Sequence, residues 1–238
     1  MSNLKPSSNT AGHKLLSECA TSSRLSVRTL SWMSGGIILL VLVIDQLIKF
    51  KVKTGMLLYQ AYDVTSWFKI LFTENQGMAF GMDFIGTMLL TLFRVVAICF
   101  FVGLLAKAIR RRLPAGLIIC LSMVIAGAAG NIIDNCFYGL IFTASPLEGT
   151  PGATPAVLTA FGEGNGSFLT GHVVDMFYFP LFTWPDWVPF LGGKVFFNAI
   201  FNFADASISC GAVAILIFYW RFLTGKPRTA VRQASGDQ

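Results

Sequence analysis

Four long apolar runs limit the architectures that this chain can adopt. They cover about residues 33–50, 86–106, 114–134 and 198–220, and each is near the ~20 residues that an α-helix needs to cross a bilayer. Only 13% of the 238 residues are charged and the mean hydropathy is +0.65, whereas soluble domains carry about 25% charged residues. We therefore predict a membrane protein with one compact bundle.

The distribution of basic residues predicts the orientation of the bundle. Twelve of the 18 Lys and Arg residues lie in the first 32 residues, in segment 107–112 and after residue 220. Because basic segments stay on the cytoplasmic side, we expect four spans with both termini cytoplasmic. Lys49, Lys51 and Lys53 lie at the outer end of the first span, where long side chains can reach the lipid headgroups.

This topology divides the chain into three parts. We predict a polar cytoplasmic tail at residues 1–32, a four-span domain at 33–223 and a basic cytoplasmic tail at 224–238. The outer loops would be residues 51–85 and 135–197.

The outer loops differ in character. Apolar and polar positions partly alternate in residues 57–83, which predicts a small sheet. Residues 143–171 are rich in Gly, Pro, Thr and Ser and indicate a flexible insertion, whereas the aromatic residues of 176–197 suit a membrane interface. The predicted fold is an all-α membrane bundle of four transmembrane helices with a small β-rich subdomain on the outer face.

The few cysteines and histidines exclude several kinds of site. The five cysteines show no C-x-x-C spacing, which argues against a disulfide framework or a zinc site. His172 has no serine or cysteine beside it in a nucleophile setting, so we reject a catalytic triad.

Carboxylates at the span ends are the candidate functional groups. In the predicted topology Asp45, Asp134, Asp175 and Asp205 lie at the ends of apolar segments and approach the outer surface of the membrane. An ionisable group within a membrane span is costly and is a functional candidate by default. Asn202 precedes Asp205 by three residues, a spacing that places both on one helical face. Two neighbouring carboxylates in a partly apolar site cannot both ionise cheaply, so they share a proton, and a pair from this set is the candidate functional site.

Five short blocks, in order, give the region 33–223 a family resemblance. They are Asp45–Lys49, Asn75–Phe80, Gly127–Asp134, Gly171–Asp175 and Phe201–Asp205. With these blocks the chain resembles the lipoprotein signal peptidases, also called signal peptidase II. The resemblance implies an aspartyl endopeptidase without metal or organic cofactor. Its substrate would be a prolipoprotein with a diacylglyceryl-modified cysteine, cut on the N-terminal side of that cysteine.

The resemblance also implies roles for individual residues. The catalytic pair would be Asp175 and Asp205. The supporting or substrate-binding residues would be Asp45, Lys49, Asn75, Gly77, Asn131, Asp134, Asn202 and Ala204. Asp45 and Lys49 are four residues apart, so a simple helix-end ion pair remains open beside a direct role in the site. The expected partners are prolipoproteins and membrane phospholipid, with no nucleic acid, and we expect a monomer.

One position departs from the family pattern. The family usually has arginine directly after the aspartate of the third block, where this chain has Asn135. We expect the role of that arginine to be vacant or transferred, with Lys194 and Arg94 as candidates. The long segments 143–171 and 176–200 also extend the outer loops.

Other classes of membrane protein remain as alternatives. A proton-coupled transporter also carries intramembrane Asp and Asn residues, but the chain shows no internal repeat and its acids gather at one surface. A structural membrane protein would explain the spans but not the five ordered blocks. A lipid-phosphate phosphatase would need a basic or histidine-rich outer site, and the chain has two histidines.

Overall fold

The computed structural model describes residues 25–75 and 83–220, with the backbone alone for residues 83–90. Gly77 lies outside the described residues, as do the rest of its block to Phe80, most of the predicted N-terminal tail and the whole predicted C-terminal tail.

The described part of the chain contains four long helices. They are α1 (Val27–Gly55), α2 (Asp83–Arg110), α3 (Ala115–Ile133) and α5 (Phe203–Phe218), and α3 runs through a π-helical turn at Asp134–Tyr138 into the short α4 (Gly139–Ile141). Among the described residues, three segments are long and apolar enough to cross a bilayer: Val27–Gly55, Thr91–Arg110 and Ala115–Ile141. The helix α5 is also apolar but has 16 described residues.

Two helices begin at different residues from those predicted. α1 starts at Val27, earlier than residue 33, because the Ser26 side chain accepts a hydrogen bond from the backbone N–H of Thr29 and caps the helix. α5 starts at Phe203 and not at about residue 198, because Asn202 is its N-cap. The apolar residues 199–201 directly precede Asn202, so hydropathy averaged over a long window misses this boundary.

The helix α3 forms the centre of the bundle and packs against α1, α2 and α5. Its buried residues Ile118, Leu121 and Val124 belong to a core that also includes Leu105 of α2 and Ile215 of α5. The other faces of the outer helices expose large apolar side chains, including Leu39, Phe93, Phe100 and Phe218. Such surfaces suit contact with lipid.

Glycines on both helices allow α3 and α5 to approach closely. A Cβ atom at Gly127 would meet the carbonyl oxygen of Ala204, and one at Gly211 would lie 2.7 Å from the carbonyl oxygen of Cys120. Small residues at helix contacts are typical of membrane bundles. This close packing brings the end of α3 against the start of α5.

A four-stranded antiparallel sheet connects to the helices. Two of its strands lie in the region 57–83 for which the sequence predicts a sheet, and the other two come from later in the chain. Its order is β1-β2-β3-β6, formed by Ala61–Thr65, Phe68–Asn75, Val173–Tyr178 and Ile200–Phe201. Thr73 lies opposite Asp175, and Phe177 lies opposite Phe201. Because β6 runs directly into the N-cap Asn202, the sheet carries Asp175 to the start of α5.

The remaining outer segments also have defined structure. β4 (Phe182–Thr183) and β5 (Val195–Phe196) form a two-stranded sheet in which Phe182 stacks on Phe196 with ring centroids 4.7 Å apart. In the segment 143–171, Leu147 bridges to Leu58 near the end of α1. The flexibility of this segment stays a prediction.

We expect Gly127→Ala to lower the apparent melting temperature in detergent, because its methyl group would push α5 away from α3. Gly36→Ala is the matched control, since a Cβ at Gly36 has nothing within 4 Å. Alanine is the better helix former by about 0.5–1 kcal/mol, so the control should be unchanged or more stable. Equal melting temperatures for the two variants would contradict the close-packing role.

Candidate active site

Lys49 is the centre of a buried polar network. Its side chain is 0% exposed, and its Nζ lies 2.9 Å from Asp45 Oδ2, 2.7 Å from Asp134 Oδ2 and 2.8 Å from Asn131 Oδ1. An ammonium group has three N–H donors, so every N–H of Lys49 has one acceptor in this network. The pair of Asp45 and Lys49 is therefore formed, but it belongs to a buried network between α1 and α3 and is not a solvent-exposed helix-end pair.

The expectation that the basic residues at the end of α1 reach the lipid headgroups is wrong for two of them. Lys49 is fully buried and Lys53 is 4% exposed, whereas Lys51 is exposed. The two buried lysines have carboxylate partners, Asp134 for Lys49 and Glu74 for Lys53. Buried charges need such partners, and partners distant in sequence leave no local pattern.

Two asparagines extend the network from Lys49 to the predicted catalytic pair. Asn131 Oδ1 accepts from Lys49, and its Nδ2 donates to Asp205 Oδ1 at 2.7 Å. Asn202 Oδ1 accepts from the backbone N–H of Asp205 at 2.8 Å, and its Nδ2 donates to Asp175 Oδ1 at 2.7 Å and to Asn131 Oδ1 at 3.1 Å. Each carboxamide oxygen faces a group that can only donate, which fixes the direction of both amides.

The two acids of this arrangement come from different elements. Asp175 lies on β3 and is 4% exposed, and the half-buried Asp205 lies in the first turn of α5. Among the described residues neither forms a salt bridge. Burial, together with the charge of Asp205, raises the pKa of Asp175 to about 7, although the hydrogen bond from Asn202 opposes this shift.

Asp45 and Asp134 connect α1 and α3 to α5 and β3, the elements that carry Asp205 and Asp175. Asp45 Oδ1 accepts from the backbone N–H of Ala204 at 2.9 Å, and Asp134 Oδ2 accepts from that of Val174 at 3.4 Å. Gln46 Nε2 donates to both carboxylates, at 3.1 Å and 2.9 Å. Sequence reasoning missed Gln46, although it stands beside Asp45 in the first block.

Asn75 is the remaining described residue of the predicted set. It ends β2, is exposed and lies opposite Val173, two residues along the ladder from the pairing of Thr73 with Asp175. The sheet therefore brings Asn75 to the same side of the bundle as Asp175.

A second polar cluster lies beside the network and was not predicted. Glu74 accepts hydrogen bonds from Lys53 and, at 2.6 Å, from Ser145, and it lies 3.2 Å from Nδ1 of His172. Burial of Glu74 opposes ionisation, but the hydrogen bond with His172 and the charge of Lys53 outweigh it and lower the pKa to about 2. The cluster borders a cavity of about 210 Å³ and ties α1 to β2.

Arg94 is the candidate cation that reaches Asn135. Its Nη1 donates to Asn135 Oδ1 at 3.4 Å, and Asn135 Nδ2 donates to Thr91 Oγ1 at 2.8 Å. Lys194, the other candidate, is exposed next to β5. Within the described residues, no group of three or more His, Cys, Asp or Glu side chains is arranged to hold a metal ion.

We expect Lys49→Met to destabilise the protein by about 3–5 kcal/mol, because Asp45 and Asp134 would remain buried without their counter-charge. The loss is measured as a lower apparent melting temperature in detergent. Lys51→Met is the matched control, since it removes the same charge from an exposed position of α1 and should change little. Adding Asp45→Asn and Asp134→Asn to Lys49→Met should recover most of the stability; no recovery would argue against unpaired charge as the cause.

Comparisons with known proteins identify the relatives of the chain. Residues 37–221 match the family described as signal peptidase (SPase) II. A lipoprotein signal peptidase of Porphyromonas gingivalis is 48% identical over 190 residues, covering 78% of this chain and 81% of the relative. A lipoprotein signal peptidase of Amoebophilus asiaticus is 36% identical over 198 residues, covering 78% of this chain and 77% of the relative.

Solved structures show the same fold. Two chains described as a bacterial membrane enzyme superpose with TM-scores of 0.51 and 0.52 at 22% and 23% identity. The first comparison covers 84% of this chain and 94% of the solved one, and the second covers 77% and 90%. With the family match over most of its length, the membrane-spanning character of its helices and the identity to these relatives, the chain belongs to the signal peptidase II family, the lipoprotein signal peptidases.

Proposed function

We propose that this protein is an aspartyl endopeptidase that removes the signal peptide from diacylglyceryl-modified prolipoproteins. It would cut N-terminal to the lipidated cysteine, with Asp175 and Asp205 as the general acid and base. One observation carries the proposal: Asn202 and Asn131 join these two carboxylates where the sheet meets the helix bundle. The names of the relatives supply the substrate class.

The chemistry requires one proton to be shared by the pair. The raised pKa of Asp175, about 7, supports Asp175 as the partner that holds the shared proton, and Asp205 would then be the general base. Asp205 would take a proton from a water molecule while the oxygen of that water attacks the peptide carbonyl carbon. Asp175 would protonate the carbonyl oxygen at the same time. When the C–N bond breaks, a proton passes from the pair to the leaving nitrogen, and the acid and amine products form.

The two asparagines suit this reaction because they orient carboxylates without adding charge. Asn202 Nδ2 occupies one oxygen of Asp175, and Asn131 Nδ2 occupies one oxygen of Asp205. The second oxygen of Asp175 has no hydrogen-bond partner within the described residues. The second oxygen of Asp205 accepts only a long hydrogen bond, 3.4 Å, from the backbone N–H of Asn202. These oxygens are the ones we assign to water and substrate.

We place the enzyme in the inner membrane of a bacterium, with four spans, both termini in the cytoplasm and the site at the outer face. The basic segments in the sequence support this orientation. The hairpin of β4 and β5 supports an interfacial position, since the connecting residues Trp187 and Phe190 are 81% and 93% exposed. Substrate acyl chains would stay in the lipid while water reaches the peptide bond, and the enzyme would act as a monomer without a cofactor.

Asp175→Asn and Asp205→Asn should each lower cleavage of a diacylglyceryl-modified prolipoprotein in detergent by about 10²–10⁴-fold, the usual contribution of a general acid or base. The change keeps the size of the side chain but removes the acid. Asp63→Asn is the control, because Asp63 is 70% exposed on β1 and pairs with Lys69. If Asp175→Asn cuts normally and Asp134→Asn does not, the pair is wrongly assigned. If the wild type does not cut, the proposed function fails.

Cleavage should also fall as the pH rises through about 7. A carboxyl group whose pKa is raised to about 7 is protonated below that pH and loses its proton above it, so the general acid disappears on the alkaline side. The measurement is kcat/KM between pH 5.5 and 9, with circular dichroism to show that the protein stays folded. A rate that stays flat to pH 9 would contradict Asp175 as the acid.

A further inference from the structure

The charges of the site leave an excess of negative charge. Asp45, Asp134 and the pair of Asp175 and Asp205 would carry three negative charges when the pair holds one proton. Lys49 supplies one positive charge, and its three donors are already taken by Asp45, Asp134 and Asn131. In a site shielded from water, uncompensated negative charge makes each further ionisation costly. A second cation near the pair would relieve this cost.

Arg94 lies where such a cation is needed. It is half-buried in an apolar stretch of α2 whose neighbouring residues Leu92, Phe93, Val95 and Val96 are exposed. Its charge interacts with Asp205, Asp134 and Asp175. A guanidinium group keeps its charge in proteins, and an ionisable residue within a membrane span indicates function by default.

Asn135 contacts this guanidinium group on one side of its carboxamide and Thr91 on the other. Asn135 is 2% exposed and follows Asp134 in the π-helical turn. Its amide donates to Thr91 and its oxygen accepts from Arg94. Thr91 and Arg94 are three residues apart and therefore share one face of α2. A carboxamide between them is suited to hold a cation beside Asp134 without adding charge.

We propose that Arg94 is the second cation of the active site, held by Asn135, and that it balances the charge of the Asp175–Asp205 pair from the side of α2. This inference rests on the proposed function, because it assumes that these two acids do the chemistry. Arg94 is a positioning residue in this scheme: it acts on the protonation of the pair and not on the reacting atoms.

The proposal predicts a change in the pH profile. Among the described residues, the charged groups around Arg94 are Asp205 of α5, Asp175 of β3 and Asp134 of the π-helical turn, with Asp45 and Lys49 of α1 behind Asp134. Without Arg94 the pair would hold its protons more tightly. Both limbs of the kcat/KM profile should then move to higher pH, by about one unit for the loss of a neighbouring charge in a partly buried site.

The experiment compares pH profiles of prolipoprotein cleavage in detergent for four variants. Arg94→Gln should shift both limbs by about one unit, and Arg94→Lys should leave them near those of the wild type. The double variant Arg94→Asn with Asn135→Arg returns a guanidinium group to the same place from the neighbouring position and should restore the limbs. Arg110→Gln removes the same charge from the exposed end of α2 and should change nothing.

The outcomes separate this proposal from the one on which it rests. Unshifted limbs with a uniformly lower kcat/KM in Arg94→Gln would overturn the charge-balancing role. If Arg94→Gln does not fold, the double variant decides: limbs like those of the wild type support the proposal, and shifted limbs overturn it. Asp175→Asn in the same assay tests the pair itself, so an active Asp175→Asn enzyme would overturn the proposed function instead.

Discussion

The geometry of the proposed active site depends on one buried ammonium group. The ammonium group of Lys49 can only donate hydrogen bonds, and it is fully buried, so its acceptors must come from the protein. They are Asp45, Asp134 and Asn131. The hydrogen bond from Lys49 orients the Asn131 oxygen toward α1 and the Asn131 amide group toward Asp205. Asn202 then completes the connection to Asp175. A single cation of α1 thereby determines how two carboxylates on a strand and another helix are presented.

The fold supplies this arrangement with ordinary structural devices. Gly127 removes the side chain that would separate α3 from α5, which lets Asn131 reach Asp205. Asn202 and Asp205 form the capping box that begins α5, a common way to satisfy the free N–H groups of a helix start. Asn202, the residue that caps the helix, thus also contacts both proposed catalytic acids.

The sequence predicts the parts of this structure that have a local signal. Apolar runs locate the helices, alternation locates the outer sheet, and the ordered blocks contain the members of the network. It does not predict that Lys53 is buried against Glu74 or that Arg94 meets Asn135, because these partners are 21 and 41 residues apart. It also places the start of α5 too early, because the apolar residues 199–201 precede the helix directly. Residues Ile200–Phe201 instead form β6, and Asn202 is the N-cap.

The capping box has a consequence for the thermodynamics of inhibition. Opening the first turn of α5 would separate Asp205 from Asn202 and thus from Asp175, so local unfolding of this helix end and loss of the proposed site are the same event. A compound that bridges the two carboxylates binds only when the turn is closed. By mass action it must protect this turn against opening. Slowed hydrogen exchange at the first amides of α5 would therefore report occupancy of the site for any such compound, whatever its chemical class.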